Sequence, residues 1–297
     1  MITTTTVQSR FSDLTQNSSS TNTARGLQLY NDATRFYITK YYLNEVLYTT
    51  TTTASTNTYN LPFDIKEVID VYIVVGSLRY VLTEAPTTQF WDQLQFASYS
   101  SDIPQYYWIF NKQLYVFPTP SSSSNTIGIR YKKRIKDLSL ADFTTGTVTA
   151  TNGSTTITHS ATGFYPQMAG QWIRLTASTS LTASGDEGWY EIDSYTNTST
   201  LVLKNAYTGS TATGASFTIG EATIMPEDYQ TLPLYRALKI YYTSIVPNPE
   251  QALLYDGLTQ AEETKLDAEF GNKSTNVRIT SADAEMSNPN LYIRSIG

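Results

Sequence analysis

Four carboxylates crowd one short stretch of the chain: Asp186, Glu187, Glu191 and Asp193. A pair of carboxylates is the minimum equipment of a glycoside hydrolase, one as acid and the other as base or nucleophile. The same oxygens suit calcium, but the looped acidic spacing of an EF-hand is absent. Gly185 and Gly188 flank Asp186 and Glu187, which is the dress of a surface turn. An exposed turn is therefore the expectation for this cluster. His159 is the single histidine and so the single candidate base for a Ser-His-Asp triad. The chain has no Gly-x-Ser-x-Gly elbow to serve it, and a packed or surface histidine is expected. The glycines between Gly209 and Gly220 match neither a Walker loop nor a dinucleotide fingerprint and read as turns. No cofactor is expected.

Counting removes further chemistry. There is no cysteine, hence no disulfide framework, thiolate zinc site or cysteine nucleophile. The net charge is −6, which argues against a general nucleic-acid binder. One local basic run stands out, Arg130, Lys132, Lys133, Arg134 and Lys136. It is a candidate contact for a partner protein or for DNA phosphates, set against solvated charges at a strand end. No apolar stretch approaches the roughly 20 residues of a membrane span. The first residues lack the basic and apolar regions of a signal peptide, so a protein that folds where it is made is expected.

The elements that would position these residues fall into three textures. Helical spacing marks Thr5 to Asn17 and, more strongly, Thr23 to Tyr48, where Leu27, Tyr30, Thr34, Tyr37 and Tyr41 form one stripe. Phe36, Leu43 and Leu47 widen it. So wide an apolar surface predicts more than one packing neighbour, and Tyr30, Tyr37 and Tyr41 are expected at a subunit interface. Extended segments follow: Thr49–Thr53, Val68–Val75 turning at Gly76-Ser77, Tyr106–Phe110 and Leu114–Phe117 around Asn111-Lys112-Gln113, and Thr126–Ile135. A short helix is expected over Pro86–Phe96.

From 144 to 220 the chain is dense in Thr, Ser and Gly with almost no helical period. Asn152-Gly153 is the strongest hairpin signal. Regular short strands predict an inserted all-β, sandwich-like domain. Helices return over Asp228–Val246 and Glu250–Phe270, and 271–297 reads as an extended arm. The expected fold class is α+β. A helical bundle with a small antiparallel β layer (1–143 and 221–270) carries the insert and the arm.

The order of these signals resembles head-to-tail connector (adaptor) proteins of tailed bacteriophages. The likeness runs from Leu27 to Leu138 through Tyr59-Asn60-Leu61-Pro62, Tyr106-Tyr107-Trp108-Ile109 and Leu114-Tyr115-Val116-Phe117-Pro118-Thr119-Pro120. It returns at Met225-Pro226-Glu227-Asp228-Tyr229. The resemblance implies a structural virion protein at the head–tail junction, made in the host cytoplasm and without catalysis. It implies a ring of twelve copies under a portal protein, touching tail or neck proteins and surrounding genomic DNA, with no membrane. In such a ring the arm would dock on the portal or a neighbour through Val277, Ile279, Leu291, Tyr292, Ile293 and Ile296. A rival reading is a carbohydrate-binding or adhesion module of a tail fibre or secreted protein, built on the Tyr- and Trp-bearing insert; a third is a glycoside hydrolase.

Overall fold

A computed structural model describes residues 1–96, 99–177, 186 and 188–271. The described residues hold five α-helices and fourteen strands. The expected α+β class is what is found. In chain order the elements are α1 (Thr4–Thr15), α2 (Ser20–Lys40), β1 (Glu45–Thr51), β2 (Thr58–Asn60), β3 (Ile65–Val75), β4 (Leu78–Val81) and β5 (Thr83–Glu84). Next come α3 (Thr88–Gln95), β6 (Tyr106–Phe110), β7 (Gln113–Phe117) and β8 (Thr126–Lys133). Then follow β9 (Val148–Ala150), β10 (Thr156–His159), β11 (Trp172–Ala177), β12 (Tyr190–Asn197), β13 (Thr200–Leu203) and β14 (Ala212–Gly220). The described elements close with α4 (Leu232–Ile240) and α5 (Pro249–Leu266).

These elements form two compact units, Met1–Tyr41 with Lys136–Gly297, and Tyr42–Ile135. The second unit is built on two four-stranded sheets, ordered β1-β8-β3-β4 and β2-β7-β6-β5. They share one core, in which Val71, Ile73, Ile127 and Ile129 of the first sheet meet Tyr59, Tyr107, Leu114 and Val116 of the second. The β6–β7 hairpin turns on Asn111 and Lys112, both at positive φ (49° and 61°), the conformation a two-residue type I′ turn demands. Gly128 of β8 is required by a close approach. A Cβ there would stand 2.1 Å from the Tyr72 ring, whose face is covered by Arg79 at 3.6 Å. The layer is not wholly antiparallel, since β5 and β6 run parallel.

The helix expected over Thr23–Tyr48 ends earlier, at Lys40. Tyr42 turns the chain at φ 54°, and β1 then pairs with β8 from Glu45↔Lys132 to Thr51↔Thr126. Seven consecutive partners on β8 outweigh the helical preference of Leu43 and Leu47. In the first unit, α1, α2, α4 and α5 pack around Val7, Phe11, Tyr30, Leu234, Leu238, Tyr241 and Tyr255. Ser19 caps α2, accepting from Asn22 N–H at 3.3 Å, and Asn248 caps α5, accepting from Gln251 N–H at 3.2 Å. Gly26 lets the helices touch: a Cβ there would lie 2.4 Å from the Phe11 ring, and Phe11 in turn stands edge-on to Tyr241.

Strands β9 to β14 close into a six-stranded barrel ordered β10-β13-β12-β11-β14-β9. Its interior is a core of its own, including Ile157, Met168, Ile173, Leu201, Phe217 and Ile219. The sequence reading anticipates a sandwich here, and closure is the difference. It also sets 144–220 apart from the helices, whereas the structure groups barrel and helices in one unit. The reason is a stitched junction. Thr3 bridges Ala222 and Phe143 bridges Ile219, and the Thr3 hydroxyl donates to Asp142 Oδ2 at 2.6 Å.

Glu221 centres this junction. Its carboxylate is only 4% exposed. Oε2 accepts from the backbone N–H of Ser139 (2.6 Å) and of Leu140 (2.7 Å), and Lys136 Nζ stands 2.7 Å from Oε1. Burial pushes the carboxyl up, but the Leu140 N–H, the Lys136 ammonium and the Ser139 N–H together outweigh it and hold it below the ordinary range. A carboxyl with a lowered folded pKa contributes its stability above the unfolded value, about 4.3, and loses it as pH falls through the folded one. Glu221→Ala deprives the Ser139 and Leu140 N–H groups and the Lys136 ammonium of this acceptor, so a loss of about 1–3 kcal/mol is expected in denaturant titrations at pH 7. Glu221→Gln should flatten the acid limb of the stability–pH curve. An unchanged acid limb would remove Glu221 from this role.

Candidate interaction surfaces

Every residue singled out in the sequence has a place among these elements or lies outside the described residues. Tyr30 and Tyr37 have no exposed surface, and Tyr41 is 4% exposed. Their rings fill the bundle and their hydroxyls cross to other segments. Tyr30 donates to Gln230 O at 3.0 Å, Tyr37 to Glu263 Oε1 at 2.6 Å and Tyr41 to Asp267 Oδ1. All three find partners within the chain, Tyr30 ahead of α4, Tyr37 on α5 and Tyr41 just past its end, so a subunit contact expected of them would meet almost no exposed surface of theirs. Burial, reinforced by Glu263, pushes the Tyr37 phenol up, so it is a fixed donor at any ordinary pH.

The basic run is mostly paired within the chain. Arg130 Nε donates to Asp70 Oδ1 at 3.0 Å, while Lys132 reaches Glu67 at 3.0 Å and Lys133 reaches Asp64 at 3.4 Å. The Arg134 Nε–H donates to Ile65 O at 3.0 Å, and Lys136 belongs to the Glu221 junction. Asp64 also accepts from the Tyr131 hydroxyl at 3.0 Å; burial and that carboxylate push the phenol up to about 12. The spacing signal was real, but its cause is the acidic set on and before β3, which antiparallel pairing places opposite β8.

Among the described residues, Asp186 and Glu191 of the carboxylate cluster are taken up by separate partners. Asp186 is 5% exposed, a correction to the expected surface turn. Its Oδ1 accepts from the Tyr207 hydroxyl (2.5 Å) and Ser210 N–H (2.6 Å), and Oδ2 accepts from the Ser210 hydroxyl (2.9 Å). Glu191 is bound to Lys204 at 2.7 Å, and Asp193 is exposed. Glu187 lies outside the described residues. His159 is buried in the barrel wall. Its Nδ1 accepts from Ala161 N–H (3.0 Å), which leaves the proton on Nε2 to donate to Thr145 O (2.9 Å). Among the described residues no group of three or more His, Asp or Glu side chains is placed to hold a metal.

What remains open to a partner is apolar. Helix α5 buries Tyr255, Thr259 and Leu266, yet Leu253 (74%), Leu254 (52%) and Leu258 (37%) are exposed. Leu254, Gly257, Leu258 and Ala261 share one solvent-side stripe at i, i+3, i+4 and i+7 spacing. A helix apolar on two sides has a use for both. The family model of the SU10 adaptor protein matches residues 2–152, just over half of the 297-residue chain. The chain belongs to that family. No curated protein matches it.

Membership makes this a structural phage protein, an adaptor. The segment from Leu27 to Leu138 that carries the sequence likeness falls inside the match, as do α1, α2 and the two-sheet unit. The adaptor's barrel beyond β9, α4 and α5 lie past it, and so does the Met225–Tyr229 stretch. No helix among the described residues is long and apolar enough to cross a membrane. The arm residues Val277, Ile279, Leu291, Tyr292, Ile293 and Ile296 lie outside the described residues. For the tyrosines the structure sets a clear expectation. Tyr37→Phe keeps the packing and loses one bond to a carboxylate, so stability should fall by about 1–2 kcal/mol. The mass of the adaptor in light scattering should be unchanged; a shift to smaller species would return Tyr37 to an interface.

Proposed function

We propose that the chain is the repeating subunit of a head-to-tail connector ring. In this reading about twelve copies join the portal protein to tail or neck proteins at the head–tail junction of the virion and surround the exit path of genomic DNA. The observation that carries it is the SU10 adaptor match over residues 2–152. The exposed leucines of α5 support self-association, because a contiguous apolar stripe on a soluble surface marks an interaction site. The function is mechanical: the subunit offers surfaces and performs no reaction. DNA need not adhere, and the net charge of −6, with most of the basic run already paired, suits a wall that DNA slides past. In this proposal residues 272–297 form the docking arm.

The chain, alone and mixed with the portal protein of the same phage, is to be followed by light scattering and electron microscopy. A closed ring or a stable ring–portal complex is expected. Leu254→Ser with Leu258→Ser should leave the helical circular dichroism intact and weaken ring formation at least about tenfold. A monomer that stays monomeric with portal present overturns the reading.

A further inference from the structure

An aromatic cleft in the two-sheet unit has no role in the account so far. It encloses about 310 Å³ between α3 and the β6–β7 hairpin and is lined by Thr88, Trp91, Asp92, Trp108, Phe110 and Tyr115. The backbone dictates this grouping. Thr88, Trp91 and Asp92 share one face of α3 at i, i+3 and i+4. Trp108 and Phe110 share one face of β6, and Tyr115 is the cross-strand partner of Trp108. Trp91 forms the floor, 6% exposed and edge-on to Tyr115 at 6.4 Å between centroids. Phe110 is the open lip at 64%. Asp92 is exposed and makes no hydrogen bond or ion pair among the described residues.

The side-chain oxygens of the lining decide what fits. They are the Asp92 carboxylate, the Thr88 hydroxyl and the Tyr115 hydroxyl, and the last already donates to Gln113 at 3.1 Å. A sugar ring would bring several hydroxyls to a wall with few answers for them. A guanidinium asks for less: flat aromatic faces for its plane and one carboxylate for its edge. Residues 272–297 supply that chemistry. In an extended segment Tyr292, Arg294 and Ile296 project to one side, an arginine between an aromatic and an aliphatic neighbour. At up to about 3.3 Å per residue, 26 residues fully extended would span tens of ångströms.

We infer that the cleft between α3 and the β6–β7 hairpin receives Arg294 of a second copy of this chain, its guanidinium stacked among Trp91, Trp108 and Phe110 and paired with Asp92. The inference rests on the ring proposed above and adds the receptor for the arm. It is tested in the full chain carrying p-benzoylphenylalanine in place of Tyr292. Copies of two isotopic masses are mixed, irradiated and mapped by mass spectrometry. Crosslinks between copies, landing on residues 88–92 or 108–115, are expected. Asp92→Arg or Arg294→Asp alone should cut their yield at least about tenfold, and the double variant should restore it. Asp92 is a surface residue, and circular dichroism with Asp92→Asn as a second variant checks that the fold survives. Oligomers that crosslink elsewhere, crosslink within one copy, or crosslink equally well in Asp92→Arg overturn the inference while leaving the ring reading intact. Monomers in the same sample overturn the ring reading itself. Saturable quenching of tryptophan fluorescence by simple hexoses, lost in Trp108→Ala, would give the cleft to carbohydrate instead.

Discussion

One buried carboxylate holds the two chain ends of the barrel together. Glu221 follows the last barrel strand, and the N–H groups it accepts from, Ser139 and Leu140, belong to the segment leading into the first. A closed sheet returns its chain to where it entered only in the sense that first and last strands are neighbours, here β9 beside β14. Something must still fix the angle at which the paired ends leave. Glu221, itself buried, does this with charge-assisted bonds to partners that lie nearer the surface. The Thr3–Asp142 bond and the Thr3 and Phe143 bridges are arranged around it. The barrel and the helices are thereby joined at several points within one compact unit.

A second constraint is local and steric. Two glycines mark places where a side chain would have to occupy an aromatic ring: Gly26 under Phe11 and Gly128 under Tyr72. In each case one aromatic ring organises its unit. Phe11 fixes α1 on α2 and touches Tyr241 before α5 begins. Tyr72 is pressed between β8 and the Arg79 guanidinium, which ties the β3–β4 hairpin to the middle of its sheet. Both contacts involve residues far apart in sequence, which is why neither glycine is distinguishable from a turn glycine by composition.

What could be read from the sequence was local. The turns at Gly76-Ser77, Asn111-Lys112 and Asn152-Gly153 each hold at least one residue at positive φ and fall where spacing put them, except that Gln113, expected in its turn, opens β7. The helical period of α2 was legible until Lys40. Beyond it the pairing of β1 with β8 decided the conformation, and a strand eighty residues away leaves no trace in the period of Leu43 and Leu47. The same limit hid the meaning of the tyrosine stripe. Residues spaced for one helix face announce burial, but not whether the cover comes from a neighbouring molecule or from the chain itself, here through Glu263 of α5 and Asp267 just past it. Asp186 looked like a turn residue because its partners, Tyr207 and Ser210, arrive only once the barrel has closed. The aromatic cleft needed α3 and the β6–β7 hairpin to converge, and no single motif contains both.

Closure of the barrel has a consequence for crowding. Among the described residues, β13 is paired on both sides, by β10 and by β12, and so offers no free backbone edge to another strand. The two-sheet unit differs, because β1, β4, β2 and β5 are outermost in their sheets. An outermost strand presents unpaired N–H and C=O groups to any chain that meets it, which makes accidental sheet extension a polymerisation hazard. Among the described residues the barrel strands paired on both sides are spared that exposure, and it falls on the outermost strands of the two-sheet unit.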